Sequence, residues 1–224
     1  MFTQIYSIQT VEEALGCVEA GADRIGVLVG TPGGKFPCAI HEEEAEKIFE
    51  ARKGKAVRVL ISVADNERDI LDQTKRLHPD VLHLCANFTG SPEFREKMRQ
   101  EIPDVLLMEA VGIVDESAVE DAKAKAEYAD ILILDSVSKT VPGVGAAGET
   151  HDWSIDKAIV DAVNIPVILA GGLGPDNVED AIRAVHPAGV DSLTKTSIKE
   201  NGILVRKDLE KVREFCTRAK AMEM

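Results

Sequence analysis

The sequence predicts a single α/β domain, a (β/α)8 TIM barrel over residues 1–224, on three observations. Short apolar runs alternate strictly with amphipathic helical patterns, eight of each. No linker or shift in composition divides them. Hydrophobic residues make up 45% of the chain and aromatics only 4%, which suits an aliphatic barrel interior. Strict βα alternation implies parallel strands with right-handed crossovers. Eight units without spare helices favour a closed barrel over an open sheet.

In chain order, strand Thr3–Ile8 precedes Gln9-Thr10, a helix start for Val11–Ala20. Strand Arg24–Val29 runs into the long loop Gly30–Cys38, and helix Glu42–Arg52 follows. Val57–Val63 and helix Glu67–Leu77 form the third unit. Strand Val81–Ala86 leads to Ser91-Pro92-Glu93, which starts helix Pro92–Gln100. Val105–Ile113 and Glu116–Glu127 come fifth, and Asp130–Asp135 and Ile155–Val163 sixth. Pro166–Ala170 is apolar on both parities, as a strand covered on both faces requires. Gly171-Gly172 ends it, and Pro175, Asp176 and Asn177 start helix Asp176–Val185. Val190–Thr194 and helix Lys207–Ala221 complete the series.

Active sites of such barrels sit at the carboxyl ends of the strands, so polar residues there are the candidates. Asp135 closes the apolar run Ile131–Leu134. Partial desolvation raises a carboxyl pKa there, which suits a general acid or base; the plain alternative is a loop-ordering aspartate. The loop Ser136–Asp152 after it is long and carries Gly143, Gly145 and Gly148. His83 and Cys85 share a parity on strand four; a hydrogen-bonded core histidine and a small buried thiol are the plain alternatives. Glu109 lies within an apolar strand, so it either faces the mouth or pairs with a basic residue. Strand–glycine turn–helix offers free N–H groups and a helix dipole to an anion. Gly171 and Gly172, with Thr194, Lys195 and Thr196 after strand eight, are therefore the candidate phosphate site, against a plain turn and a surface lysine.

The formal net charge of −13 disfavours nucleic acid and anionic membranes as partners. No signal peptide or membrane-spanning run is visible, and four scattered cysteines without a CxxC pair indicate reduced thiols. A cytoplasmic protein without cofactor or metal is expected.

The pieces GADRIGVLV (21–29), EAVGI (109–113), ILILD (131–135), GAAGETHDW (145–153), PVILAGGLGPDNV (166–178), GVD (189–191) and RKDLEKVREF (206–215) stand in an order and spacing that resembles phosphoribosylanthranilate isomerase, a tryptophan-pathway family. The resemblance covers nearly the whole chain. It implies the barrel fold, a phosphate between the turn after strand seven and the loop after strand eight, a general acid at Asp135, and Asp191 as the family's strand-eight aspartate.

The chain departs from the family at several points. The family opens with Lys-Ile-Cys-Gly, whose cysteine is the general base; Gln4-Ile5-Tyr6-Ser7 stands here. A tyrosine, with a reference pKa of about 10, is a poor base at neutral pH. The arginine that holds the anthranilate carboxylate is missing from the loop after strand two, which carries Lys35 instead. The family's Gln-Leu-His-Gly has become His83-Leu84-Cys85-Ala86, and a basic residue of its glycine-rich loop is replaced by Glu149. The expected function is an isomerase of aldose–ketose type, an intramolecular oxidoreductase acting on a phosphorylated small-molecule substrate. Asp135 moves one proton, with Cys85, His83 or Glu109 standing in for the base. Tyr6, Lys35 and Asp191 contact the substrate. An epimerase or lyase on another sugar phosphate and a non-catalytic phosphate-binding barrel are the alternatives. A homodimer is left open.

Overall fold

The computed structural model describes residues 1–36, 38–137, 152–201 and 203–222. The elements run β1 (Phe2–Ile5), α1 (Val11–Glu19), β2 (Arg24–Val29), α2 (Glu42–Arg52), β3 (Val57–Ser62), α3 (Glu67–Leu77), β4 (Val81–Leu84), α4 (Pro92–Glu101), β5 (Leu106–Ile113), α5 (Ala118–Ala126), β6 (Ile131–Ser136), α6 (Trp153–Ala162), β7 (Val167–Leu169), α7 (Val178–Val185), β8 (Gly189–Ser192), β9 (Ser197–Glu200), β10 (Ile203–Lys207) and α8 (Leu209–Ala221). Strands β1 to β8 close into a parallel barrel in sequence order, β8 pairing back to β1.

Side-chain parity sorts the core into two layers. Val59, Ile61, Val81, Met108, Ala110, Ile131, Ile133, Ile168 and Ala170 form one cluster inside the barrel. The alternate residues, among them Ile25, Val27, Leu60, Leu82 and Leu132, pack outward against helix residues such as Phe49, Phe94 and Phe215. Alternation along each strand produces this division. Two helix starts follow the side-chain caps read from the sequence, Thr10 and Ser91 accepting from Glu13 and Phe94 N–H, and Asn66 caps α3 in the same way, accepting from Asp69 N–H.

The amino-terminal rim repeats one device. Asp23, Asp80 and Asp130 stand just before β2, β4 and β6. Each accepts the backbone N–H of the preceding strand, from Thr3 at 2.9 Å, Arg58 at 2.7 Å and Leu107 at 2.7 Å. Each also meets a cation, Lys220, Arg58 and Arg95 respectively. These carboxylates belong to stability, on the face away from the chemistry.

Three expectations change. Strands β1, β4 and β8 stop earlier than their apolar runs, so Tyr6, Cys85 and Thr194 lie just past the strand ends. Helix α7 begins at Val178 because Asn177 is used in the turn: its side chain bonds Gly174 N–H at 2.8 Å and Gly172 C=O at 3.1 Å. An antiparallel hairpin, β9–β10, intervenes between β8 and α8, and Lys207 is its last residue and not a helix start. No helix among the described residues is long and apolar enough to cross a membrane.

Candidate active site

Tyr6 leaves the end of β1 and points into the barrel. Its ring lies on Gly26 of β2, where a Cβ would stand 2.0 Å from the ring, so only glycine permits the pose. The hydroxyl reaches β4 and hydrogen-bonds His83 Nδ1 at 3.1 Å, with ring centroids 5.6 Å apart. A bond between the first and fourth strands spans the interior. Tyr6 and His83 together therefore floor the mouth. Burial raises the Tyr6 phenol well above its ordinary value, with Asp191 adding to it. Burial also lowers His83 to about 3. Both are neutral at pH 7, and His83 Nε2 has no partner among the described residues.

Cys85 follows His83 on the same inward parity. Burial, with the charges of Asp135 and Glu109, pushes its thiol up to about 12. A neutral thiol with that pKa and an imidazole near 3 are both weak bases at neutral pH.

Asp135 faces inward at the end of β6, and its Oδ1 accepts Ser136 N–H at 2.7 Å. Its charge reaches Tyr6, Cys85 and Asp191. Asp191 on β8 is buried and accepts from Gln4 Nε2 at 3.2 Å. The structure thus gathers Tyr6, His83, Cys85, Asp135 and Asp191 in one mouth.

The glycine turn has the conformation expected of it: Gly171 and Gly172 have φ of 84° and 60°. Two contacts bring it against the segment after β8. Ser192 Oγ donates to Leu173 C=O at 2.6 Å, and a Cβ on Gly174 would stand 2.6 Å from Lys195 Cβ. The amides of Gly171, Gly172, Thr194, Lys195 and Thr196 make no hydrogen bond among the described residues. They form the donor set available to an anion. The side chains play a different part from the one expected. Thr196 is buried with its hydroxyl bonded to Ser192 Oγ and Leu193 C=O, and Lys195 is turned outward to Asp176 at 3.3 Å. Backbone, more than lysine and hydroxyl groups, equips this site.

Two candidates lie elsewhere. Glu109 has the outward parity of β5, under the loop before α4, where it accepts Gly90 N–H at 2.7 Å. Burial raises it to about 7, while the Gly90 bond and Lys125 pull it down. Of the two alternatives open for Glu109, the mouth is excluded by strand parity. Lys35 is exposed on the rim, in a groove of about 470 Å³ with Phe36, Asp69, Gln73 and Arg76. The glycine-rich loop at 143–148 and most of GAAGETHDW lie outside the described residues.

Sequence reasoning missed Gly26, which seats Tyr6, and Lys207. The Lys207 ammonium is buried, donating to Tyr6 C=O and, at 2.8 Å, to Ser197 Oγ. Its amide donates to Glu13 at 2.9 Å, and Gln9 N–H donates to the same carboxylate at 2.8 Å. The hairpin end is thereby bolted behind Tyr6. The available signal was Asn201-Gly202, a hairpin dipeptide between two short strand-like runs. Among the described residues no cluster of three or more His, Cys, Asp or Glu is arranged to hold a metal.

A family model described as N-(5'phosphoribosyl)anthranilate (PRA) isomerase matches residues 4–218. The N-(5'-phosphoribosyl)anthranilate isomerase of Haloferax volcanii is 34% identical over 94% of this chain and 90% of its own. Among solved structures, dimeric phosphoribosylanthranilate isomerase from Thermotoga maritima, in the form of generated monomers, superposes with a TM-score of 0.78 at 26% identity, covering 99% of this chain and 100% of that one. A phosphoribosyl anthranilate isomerase in complex with reduced 1-(o-carboxyphenylamino)-1-deoxyribulose 5-phosphate gives 0.77 at 27% identity, with coverage of 99% and 100%. With a family model spanning nearly its whole length and relatives above 30% identity, the chain belongs to the N-(5'-phosphoribosyl)anthranilate isomerase family.

Proposed function

We propose that this barrel binds a phosphorylated small molecule between the Gly171-Gly172 turn and residues 194–196, and that Asp135 moves a proton in an isomerisation of aldose–ketose type. The substrate differs from phosphoribosylanthranilate. One observation carries that difference: the position of the family's cysteine base holds Tyr6, whose hydroxyl is taken by His83. The missing anthranilate-clamp arginine supports it, since Lys35 sits in the rim groove. The phosphate half is supported by the unspent amides of the two adjoining loops and by a relative solved with a 5-phosphate ligand. A second reading, a phosphate-binding barrel without turnover, is favoured by the neutral state of Tyr6, His83 and Cys85 near pH 7.

Calorimetric titration with inorganic phosphate and with sugar phosphates tests the site. Binding to the wild type, abolished in Gly172→Val, is the expected result, because a branched residue is strained at that positive φ. Equal binding to both proteins, or to neither, refutes the placement.

A further inference from the structure

The strand register places a diagonal row of polar groups inside the barrel. Leu134 pairs with Leu169 and Leu169 with Val190. One step further stand Asp135, Ala170 and Asp191, all on the inward parity. Asp191 is then in register with Gln4, and Gln4 with Arg24. The row thus descends from the mouth on β6 to the amino-terminal end of β2. Ala170 stands between the two aspartates in the register, and two strand spacings put their Cα atoms about 10 Å apart. The Asp135 charge acts on Asp191 across that gap.

Asp191 lacks the environment of an ionised carboxylate. It is 5% exposed, and its one hydrogen bond among the described residues is a neutral amide donor, Gln4 Nε2. No cation is bonded to it: Lys207 binds Tyr6 C=O and Ser197 Oγ, and Arg24, two strands along the row, stacks on Phe2 at 3.8 Å with its buried Nη1 unpartnered among the described residues. The other groups facing it are Asp135 from β6 and the Tyr6 phenol from β1. Gln4 supplies a second, independent sign. Its Oε1 is buried without a donor. Buried acceptors are rarely left so. A carboxylate cannot donate to it, whereas a carboxylic acid can.

We infer that Asp191 stands as a neutral carboxylic acid, its O–H turned to Gln4 Oε1 at rest, and that it is the proton reserve for Asp135, the group at the mouth. Burial and the Asp135 charge raise Asp191 well above the usual carboxylate range, against the smaller pull of Gln4 and Lys207. The pair titrates as a unit. When Asp135 gives a proton to a ligand oxygen, that proton comes from Asp191: its O–H bond breaks, the proton passes through Asp135, and an O–H bond forms on the ligand. Both carboxyls are then ionised until a proton taken from the ligand returns, and the Gln4 amide and the Lys207 field face the new charge on Asp191. That role, unlike the protonation, rests on Asp135 being the proton-transferring group.

The test is a carbon-13 titration of aspartate carboxyls in the full chain, with Asp191→Asn to assign the signal. One carboxyl should remain protonated near pH 7 in the wild type and vanish from Asp191→Asn. Asp135→Asn should lower its midpoint by about one unit or more, since the raising charge is gone. Gln4→Lys should ionise it near pH 7 by placing an ammonium on Oδ1. All aspartates ionised near pH 7 in the wild type, an unmoved midpoint in Asp135→Asn, or a still-protonated Asp191 in folded Gln4→Lys would each overturn the inference. Should Gln4→Lys not fold, the other two proteins decide. Phosphate titrations on the same samples keep the readings apart: absent phosphate binding contradicts the proposed site, and an ionised Asp191 contradicts this inference alone.

Discussion

Tyr6 and His83 form a hydrogen-bonded floor at the mouth, and buried titratable groups set the protein's pH response. His83 is neutral with a pKa lowered to about 3, so the unfolded chain takes up a proton that the folded one refuses. Stability is therefore lost as pH falls below about 6.5, by about 2 kcal/mol at pH 5. Denaturation curves at pH 7 and pH 5 check this; His83→Gln should remove about one proton from the difference. Glu109 has the opposite sign. Its pKa is raised to about 7, so the folded chain holds a proton that the unfolded one releases above its ordinary range, and stability falls as pH rises toward 7. Glu109→Gln keeps an acceptor for Gly90 and should stabilise the protein at pH 8 by at most about 3 kcal/mol, with no gain at pH 4. Equal gains at both pH values would show that its charge is irrelevant. Strand alternation and the resemblance made Asp135, His83 and Cys85 legible as mouth residues. Glu109 was not, because its face depends on a parity that an apolar run on both faces conceals.

At the scale of elements, the eight βα units were readable because strand and helix periods alternate throughout, with side-chain caps supporting helices such as α1 and α4. The β9–β10 hairpin was missed for a physical reason: its strands are short and largely exposed, so they carry little of the burial pattern that marks β1 to β8. Yet the hairpin holds Lys207 behind Tyr6 and ties it to Ser197, which directly follows residues 194–196. Lys207→Met leaves the Tyr6 carbonyl unpaired and should destabilise the protein by about 1–3 kcal/mol. It should also weaken phosphate binding, read by calorimetry; unchanged affinity would detach the hairpin from the site. At the opposite rim, Asp130 binds Leu107 N–H and the buried Arg95, its Oδ2 lying 2.7 Å from Nη2. Asp130→Ala should cost about 3–5 kcal/mol in chemical denaturation while leaving phosphate affinity unchanged, since that rim carries stability and not chemistry. A matching loss of affinity would refute the separation of the two faces.

The whole molecule is a family barrel with Tyr6 and His83 hydrogen-bonded across its interior. A chain of net charge −13 does not attract a phosphate by its overall field. In the proposed site, affinity comes from the local amides of two loops and not from a basic patch. Closed topology, family membership and the glycine turn were legible in the sequence. The Tyr6–His83 bond was not, because it joins residues 77 positions apart and exists only once the barrel closes over Gly26. The proposed change of substrate rests on that bond. A general base contributes typically about 10²–10⁴-fold, and among the described mouth residues neither His83 nor Cys85 has a pKa suited to that role. The most direct measurement is steady-state turnover of phosphoribosylanthranilate by the purified protein, beside a family enzyme assayed identically. The account predicts a rate at least about 100-fold below that enzyme, with phosphate binding intact. Turnover matching the family enzyme would contradict it.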